Sequence, residues 1–137
     1  MTPRWQNAAV VRNANGKICY LEIPARDVAR SAGFYRAVFG WAMRTRGDGA
    51  TAFDDGVEVS GAFVTGREPS REAGLLVYVM VADAEVTLRR IAAHGGEVVE
   101  PVHPGAPEIV ARFRDPAGNL LGIYQEKALA PRPRGSG

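Results

Sequence analysis

The chain has 137 residues, 46% of them hydrophobic, with 17 Lys and Arg against 15 Asp and Glu and a formal net charge of +2, the size and apolar content of one ordinary domain. Basic residues are thinly spread apart from Arg132 and Arg134, a field too weak to predict a nucleic-acid partner. No run approaches the ~18 apolar residues of a membrane span, the N-terminus lacks a charged-then-apolar leader, and a cytoplasmic protein with no membrane partner is expected.

In chain order, Asn13, Asn15 and Gly16 mark a turn in an N-terminal lead-in or hairpin arm over residues 1–16. The run Ile18 to Ile23 is strand-like. Asp27 then offers a helix N-cap, Val28, Ala32, Tyr35, Val38 and Phe39 recur at helical spacing, and Gly40 closes the segment, so a helix is predicted over 27–39. Extended segments follow near 41–46, 50–54 and 57–64, punctuated by Gly47, Gly49 and Asp54-Asp55-Gly56, the spacing of an antiparallel meander. Residues 66–73, with Pro69 and Ser70, read as a linker.

After the linker the pattern starts again. Leu75 to Val81 is an apolar strand, Asp83 a second N-cap, and Val86, Leu88, Ile91 and Ala92 a helical stripe ending at Gly95-Gly96. Extended segments near 97–102, 108–114 and 119–125 complete the copy, and residues 127–137 read as a disordered tail. Superposing Asp27 on Asp83 aligns strand, helix and glycine, so the chain is an internal duplication of two βαβββ modules, 17–65 and 74–126, in an α+β fold with mixed, curved sheets. A helix covers one face of such a sheet and leaves the other open, so two such sheets, paired within one chain or across two, are expected to face each other across a cleft. Cys19, the only cysteine, excludes an intrachain disulfide and reads as a buried thiol.

Asp27-Val28-Ala29-Arg30-Ser31-Ala32-Gly33-Phe34-Tyr35 followed by Val38-Phe39-Gly40-Trp41 resembles the first-module signature of the vicinal oxygen chelate superfamily. Gly95-Gly96-Glu97-Val98-Val99 and Phe113-Arg114-Asp115-Pro116-Ala117-Gly118-Asn119 are similar to that family's glycine pair and Asp-Pro-x-Gly-Asn turn. The resemblance covers residues 17 to 126 and takes in glyoxalases, extradiol dioxygenases, epimerases, fosfomycin-resistance enzymes and bleomycin-binding resistance proteins. Metal-using members hold a divalent ion through histidine and glutamate on the first and last strands of each module. The corresponding first-strand positions here are Tyr20, seven residues before Asp27, and Leu76, seven before Asp83. The last-strand positions are Gly122 and, in the first module, a place near Gly61. None is a histidine or carboxylate, so the resemblance implies a branch with no catalytic metal and no cofactor.

Strand alternation sends Ile18, Tyr20 and Glu22 to the cleft and Cys19, Leu21 and Ile23 under the helix. Tyr78 and Met80 accompany Leu76, and Leu120 and Tyr124 accompany Gly122. These residues, with His103 in the Pro101 to Pro107 loop, are the candidate ligand contacts. An aromatic, apolar lining with one acid suits a flat or hydrophobic organic molecule. Glu22 is either a general base or acid acting with Tyr20, or the partner of Arg112 or Arg114 in an ion pair that organises the cleft. Arg112 and Arg114 form a solvated stripe or an anion-recognising lining. His94, in the last helical turn, is read as a cap. Gly61 and Gly122 either widen the cleft for a bulky guest or mark bulges.

Three functions follow. The one the residues favour is metal-free binding of a small hydrophobic or planar organic molecule, as in bleomycin-resistance proteins. The second is a metal-independent isomerase, cyclase or lyase whose catalytic residues are Glu22 and Tyr20, and the third a metal-dependent glyoxalase- or dioxygenase-like enzyme. A homodimer is expected, since two-module relatives commonly complete their clefts with another chain.

Overall fold

Both aspartates that begin the helices cap them. Asp27, extended at φ −120° and ψ 100°, accepts the Arg30 N–H, and α1 runs Val28–Phe39 until Gly40, left-handed at φ 75°, ends it. Asp83 likewise accepts the Val86 N–H at the start of α2, Ala84–Ala93. This is a computed structural model, and it describes Asn15, residues 18–72 and residues 74–126. The rest of the expected lead-in and the expected disordered tail lie outside the described residues.

Around α1 stand β1 (Tyr20–Pro24), β2 (Ala42–Thr45), β3 (Thr51–Asp54) and β4 (Ser60–Val64), and around α2 stand β5 (Tyr78–Val81), β6 (Glu97–Glu100), β7 (Val110–Arg114) and β8 (Leu120–Gln125). Each set forms a four-stranded mixed sheet, β1-β4-β3-β2 and β5-β8-β7-β6, in which the first strand pairs parallel with the last and the others are antiparallel. This is the predicted tandem βαβββ fold. Two strands are shorter than the apolar pattern suggests. Asp55 Oδ1 accepts the N–H groups of Val57, Glu58 and Val59, so these residues are spent in a turn and β4 begins only at Ser60. Leu75 is 95% exposed, and the strand predicted from there begins only at Tyr78.

Ile23, Phe53 and Phe63 of one sheet and Val81, Ala111, Phe113, Leu121 and Ile123 of the other join the helices in a single core. Tyr35 stacks on Trp41 at 4.8 Å and Trp41 on Phe53 at 4.7 Å, while Phe34 meets Phe113 of the second sheet at 6.0 Å. α1 therefore touches both sheets, the modules meet through the helix layer, and the second face of each sheet points away from that core. The physical reason for this join is area: aromatic side chains on the helix-facing sides bury far more apolar surface when shared than when each module closes alone.

Polar stitches reinforce the join. The Tyr35 hydroxyl donates to Asp115 Oδ2 at 2.8 Å, and Asp115 also accepts the backbone N–H groups of Ala117, Gly118 and Asn119. Burial first, then the charge of Asp115 and the hydrogen bond to it, raise the Tyr35 pKa well above the ordinary phenol value. Asn119 Nδ2 donates to the Pro24 carbonyl, and its Oδ1 accepts the Ser70 N–H, tying β1 and the linker to the second module. The Asp-Pro-Ala-Gly-Asn turn thus makes the fold. Among the described residues no helix is long and apolar enough to cross a membrane.

Candidate functional site

The outer sheet faces carry the candidate residues. On β1 the alternation buries Ile23 and leaves Tyr20 42% exposed, with Glu22 exposed beside it. Cross-strand register gives the row Glu22, Ala62, Ala52, Arg44 from β1 to β2. The Tyr20 hydroxyl accepts from Arg46 Nη1 at 2.6 Å, and Arg46 Nη2 bonds Asp48 Oδ2 at 2.6 Å. The hydrogen bond and charge of Asp48, followed by Tyr20, raise the Arg46 pKa, while the Ala50 N–H, followed by Arg46, lowers that of Asp48. Glu22 Oε1 pairs with Arg67 Nη2 at 2.8 Å, both side chains well solvated. The expected partners Arg112 and Arg114 lie on the other sheet, and the linker supplies the cation instead. Glu22, Arg46 and Asp48 border an open depression of about 500 Å³.

The outer face of the second sheet is built differently. Tyr78 and Met80 are 45% and 56% exposed. The register gives the rows Tyr78, Gly122, Arg112, Glu100 and Met80, Tyr124, Val110, with Leu120 beside Arg114. Arg112 and Arg114 therefore share the face of Tyr78 and Tyr124. Glu108, then Glu126, then burial raise the Tyr124 pKa above the ordinary phenol value. Arg114 reaches the Arg71 carbonyl at 3.2 Å and Glu97 at 3.9 Å. Where this sheet's edge meets the first module, Leu21, Phe39, Trp41, Phe53, Val77 and Val79 line an apolar cavity of about 300 Å³, with Tyr78 and Met80 at its rim.

The candidate contacts thus divide between two surfaces, Tyr20 and Glu22 on one, Tyr78, Met80, Leu120, Gly122 and Tyr124 on the other. Leu76 is half-buried in the segment before β5, and His103 is exposed in its loop, where its carbonyl accepts the Ala106 N–H. His94 takes the C-cap position of α2. Cys19 is exposed, not buried, because it precedes β1. The glycines do not widen a cleft. Gly61 faces the core, where a Cβ would overlap the Leu21 carbonyl and the Phe53 ring, and over Gly122 the Tyr78 ring fills the space, 2.6 Å from where a Cβ would be. In the first sheet Ala62, opposite Glu22, matches Gly122 opposite Tyr78. Arg46, Asp48 and Arg67 escaped sequence reasoning; the polar turns that hold them were visible, but not the surfaces those turns fold over.

A metal ion fits this donor set poorly. Tyr20, Leu76, Gly122 and Ala62 or Gly61 offer one phenol, already hydrogen-bonded to Arg46, and the carboxylates beside it, Asp48 and Glu22, are paired with Arg46 and Arg67. Among the described residues no three His, Cys, Asp or Glu side chains gather as ligands.

Tandem βαβββ modules joined through their helices, with two strand-built outer faces free for contact, define a paired-module α+β protein whose sheets, not its helices, carry the candidate surface. The chain belongs to the Glyoxalase/Bleomycin resistance protein/Dioxygenase superfamily, whose model matches residues 17–123. It is 30% identical over 120 residues to a glyoxylase-like domain-containing protein of Didymella fabae, covering 80% of this chain and 93% of that one. It is 26% identical over 139 residues to the anthracycline biosynthesis protein DnrV of Streptomyces peucetius, covering 88% of this chain but only 50% of DnrV. Among solved structures, the fosfomycin resistance protein FosX of Mesorhizobium loti shares the fold with a TM-score of 0.66 at 16% identity, over 83% of this chain and 94% of that one.

Proposed function

We propose that this protein binds a planar or hydrophobic organic molecule on its outer sheet faces without a catalytic metal, in the manner of the resistance- and biosynthesis-type members of its superfamily. The observation that carries the reading is the aromatic outer surface: Tyr20, Tyr78 and Met80 are each more than two-fifths exposed on regular strands. Side chains of this kind left in water on a rigid sheet mark a contact surface. The likeness to an anthracycline biosynthesis protein supports a polycyclic guest, and the poor donor set at the metal-using positions supports a metal-free site. A second copy of the chain, meeting these faces in a cytoplasmic homodimer, would supply the wall that one chain lacks.

The test is native mass spectrometry of freshly purified protein, followed by titration with anthraquinone, an uncharged tricyclic. A co-purified organic mass, or saturable anthraquinone binding weakened at least tenfold by Tyr78→Ala, is expected. Stoichiometric zinc, nickel, manganese or iron, with a melting temperature lowered by EDTA, would refute the metal-free reading. Light scattering that gives a monomer at micromolar concentration would refute the dimer.

A further inference from the structure

The row across the second sheet holds an arginine that has no partner among the described residues. Tyr78, Gly122, Arg112 and Glu100 stand side by side on β5, β8, β7 and β6. Because Gly122 has no side chain, the Tyr78 ring lies over it, which brings an aromatic face to about one strand spacing, ~4.8 Å, from the Arg112 backbone. Arg114, its neighbour on the same face, is engaged by the Arg71 carbonyl and Glu97. Arg112 is half-buried, yet among the described residues its guanidinium has no hydrogen-bond or ion-pair partner; Glu100, opposite in register, lies beyond ion-pair distance.

The duplication supplies the control. At the place of Arg112 the first sheet has Ala52, and at the place of Tyr78 it has Glu22, which Arg67 neutralises. One outer face therefore satisfies its central charge internally, and the other leaves a planar fork of N–H donors open beside an aromatic ring. A guanidinium binds a carboxylate through two parallel N–H···O bonds, and partial burial strengthens such a contact over one in open water.

We infer that Arg112 recognises a carboxylate borne by an aromatic ligand whose ring system lies on Tyr78. This rests on the small-molecule reading above and narrows it to planar organic acids. Glu100, the nearest acid in the row, opposes such a ligand and keeps the empty site from carrying a bare positive charge.

The experiment compares two probes of one shape, anthraquinone-2-carboxylate and anthraquinone-2-carboxamide, titrated into the full chain at pH 7.5. The wild-type protein should bind the carboxylate about tenfold or more tightly than the amide, as expected for a charge-assisted pair. Arg112→Gln should abolish that preference and leave amide affinity within about twofold, Arg112→Lys should retain part of it because charge survives without the fork, and Glu100→Gln should enlarge it. Among the described residues Arg112 makes no hydrogen bond or ion pair with another side chain, so the variants should melt with the wild type. Equal affinities in the wild type, or a preference that survives Arg112→Gln, overturn the role of Arg112 while amide binding upholds the planar-ligand reading. Failure of both probes overturns both.

Discussion

The first and second modules repeat the same strands, the same Asp-capped helix and the same aromatic or aliphatic inner face, yet their outer faces have diverged. On the first, Glu22 and Tyr20 are tied down by Arg67 and Arg46; on the second, Tyr78 and Met80 are exposed and, among the described residues, Arg112 has no hydrogen-bond or ion-pair partner. Inner positions are constrained by a shared core in which an added or removed methylene is felt. Outer positions answer only to what they touch. The difference is one of pairing: the first outer face satisfies its charged groups internally, and the second does so less completely among the described residues.

The largest effect should come from the residue both halves depend on. Asp115 accepts from Tyr35 and three backbone N–H groups inside the protein, so Asp115→Ala should cost roughly 3 kcal/mol or more, since a lost acceptor strands several buried donors. Urea unfolding will measure it, and a loss under ~1 kcal/mol would mean the modules are held without Asp115, by the apolar core and the Asn119 bonds. Tyr35→Phe removes one of those bonds and should cost about 1–2 kcal/mol. Because the Tyr35 pKa is raised in the folded protein, the unfolded phenol loses its proton first. The stability that the protonated phenol contributes is therefore complete below pH ~10 and falls as pH rises beyond it. Tyrosine ionisation followed by ultraviolet absorbance should show one phenol that titrates only with unfolding.

The two strand glycines sharpen the comparison next. Gly61→Ala drives a Cβ into the Leu21 carbonyl and the Phe53 ring, and should destabilise by about 2–3 kcal/mol because backbone and core cannot yield. Gly122→Ala meets only the ring of Tyr78, which is 45% exposed and free to swing out, so stability should change by under ~1 kcal/mol. That variant should instead weaken anthraquinone binding by displacing the ring. Equal melting temperatures for the two variants would contradict the assignment of one glycine to the core and the other to the surface.

The smallest effect is expected at Glu22. Its pair with Arg67 is solvated, so Glu22→Gln should shift stability by no more than ~0.5 kcal/mol and ligand affinity by at most about tenfold. If a catalysed reaction is found and Glu22→Gln slows it ~100-fold while binding persists, Glu22 is a general base and the paired first face is the working one.

Capping and periodicity are local, and they were readable: Asp27, Gly40 and Asp83 stand where helical spacing put them, and the duplication follows from aligning them. Strand parity also held on the edge strand β1, where Ile23 is buried and Glu22 exposed. The first-module position expected near Gly61 falls on Ala62, one residue on, because the Asp55 turn absorbs residues that look like strand. The apolar run from Leu75 misled for a similar reason, since seven apolar residues describe a strand and an exposed approach to one equally well.

What the amino-acid sequence determined by itself was the fold of each module and the residues that alternate along its strands, because caps, turns and the period of two depend on neighbours in the chain. Only the tertiary structure decided that the helix layers, not the outer faces, join the modules, that Glu22 answers to Arg67, and that Arg112 shares a face with Tyr78. Those outcomes depend on which distant side chains meet across a shared aromatic core, and residue spacing along one strand carries no information about the partner on the next.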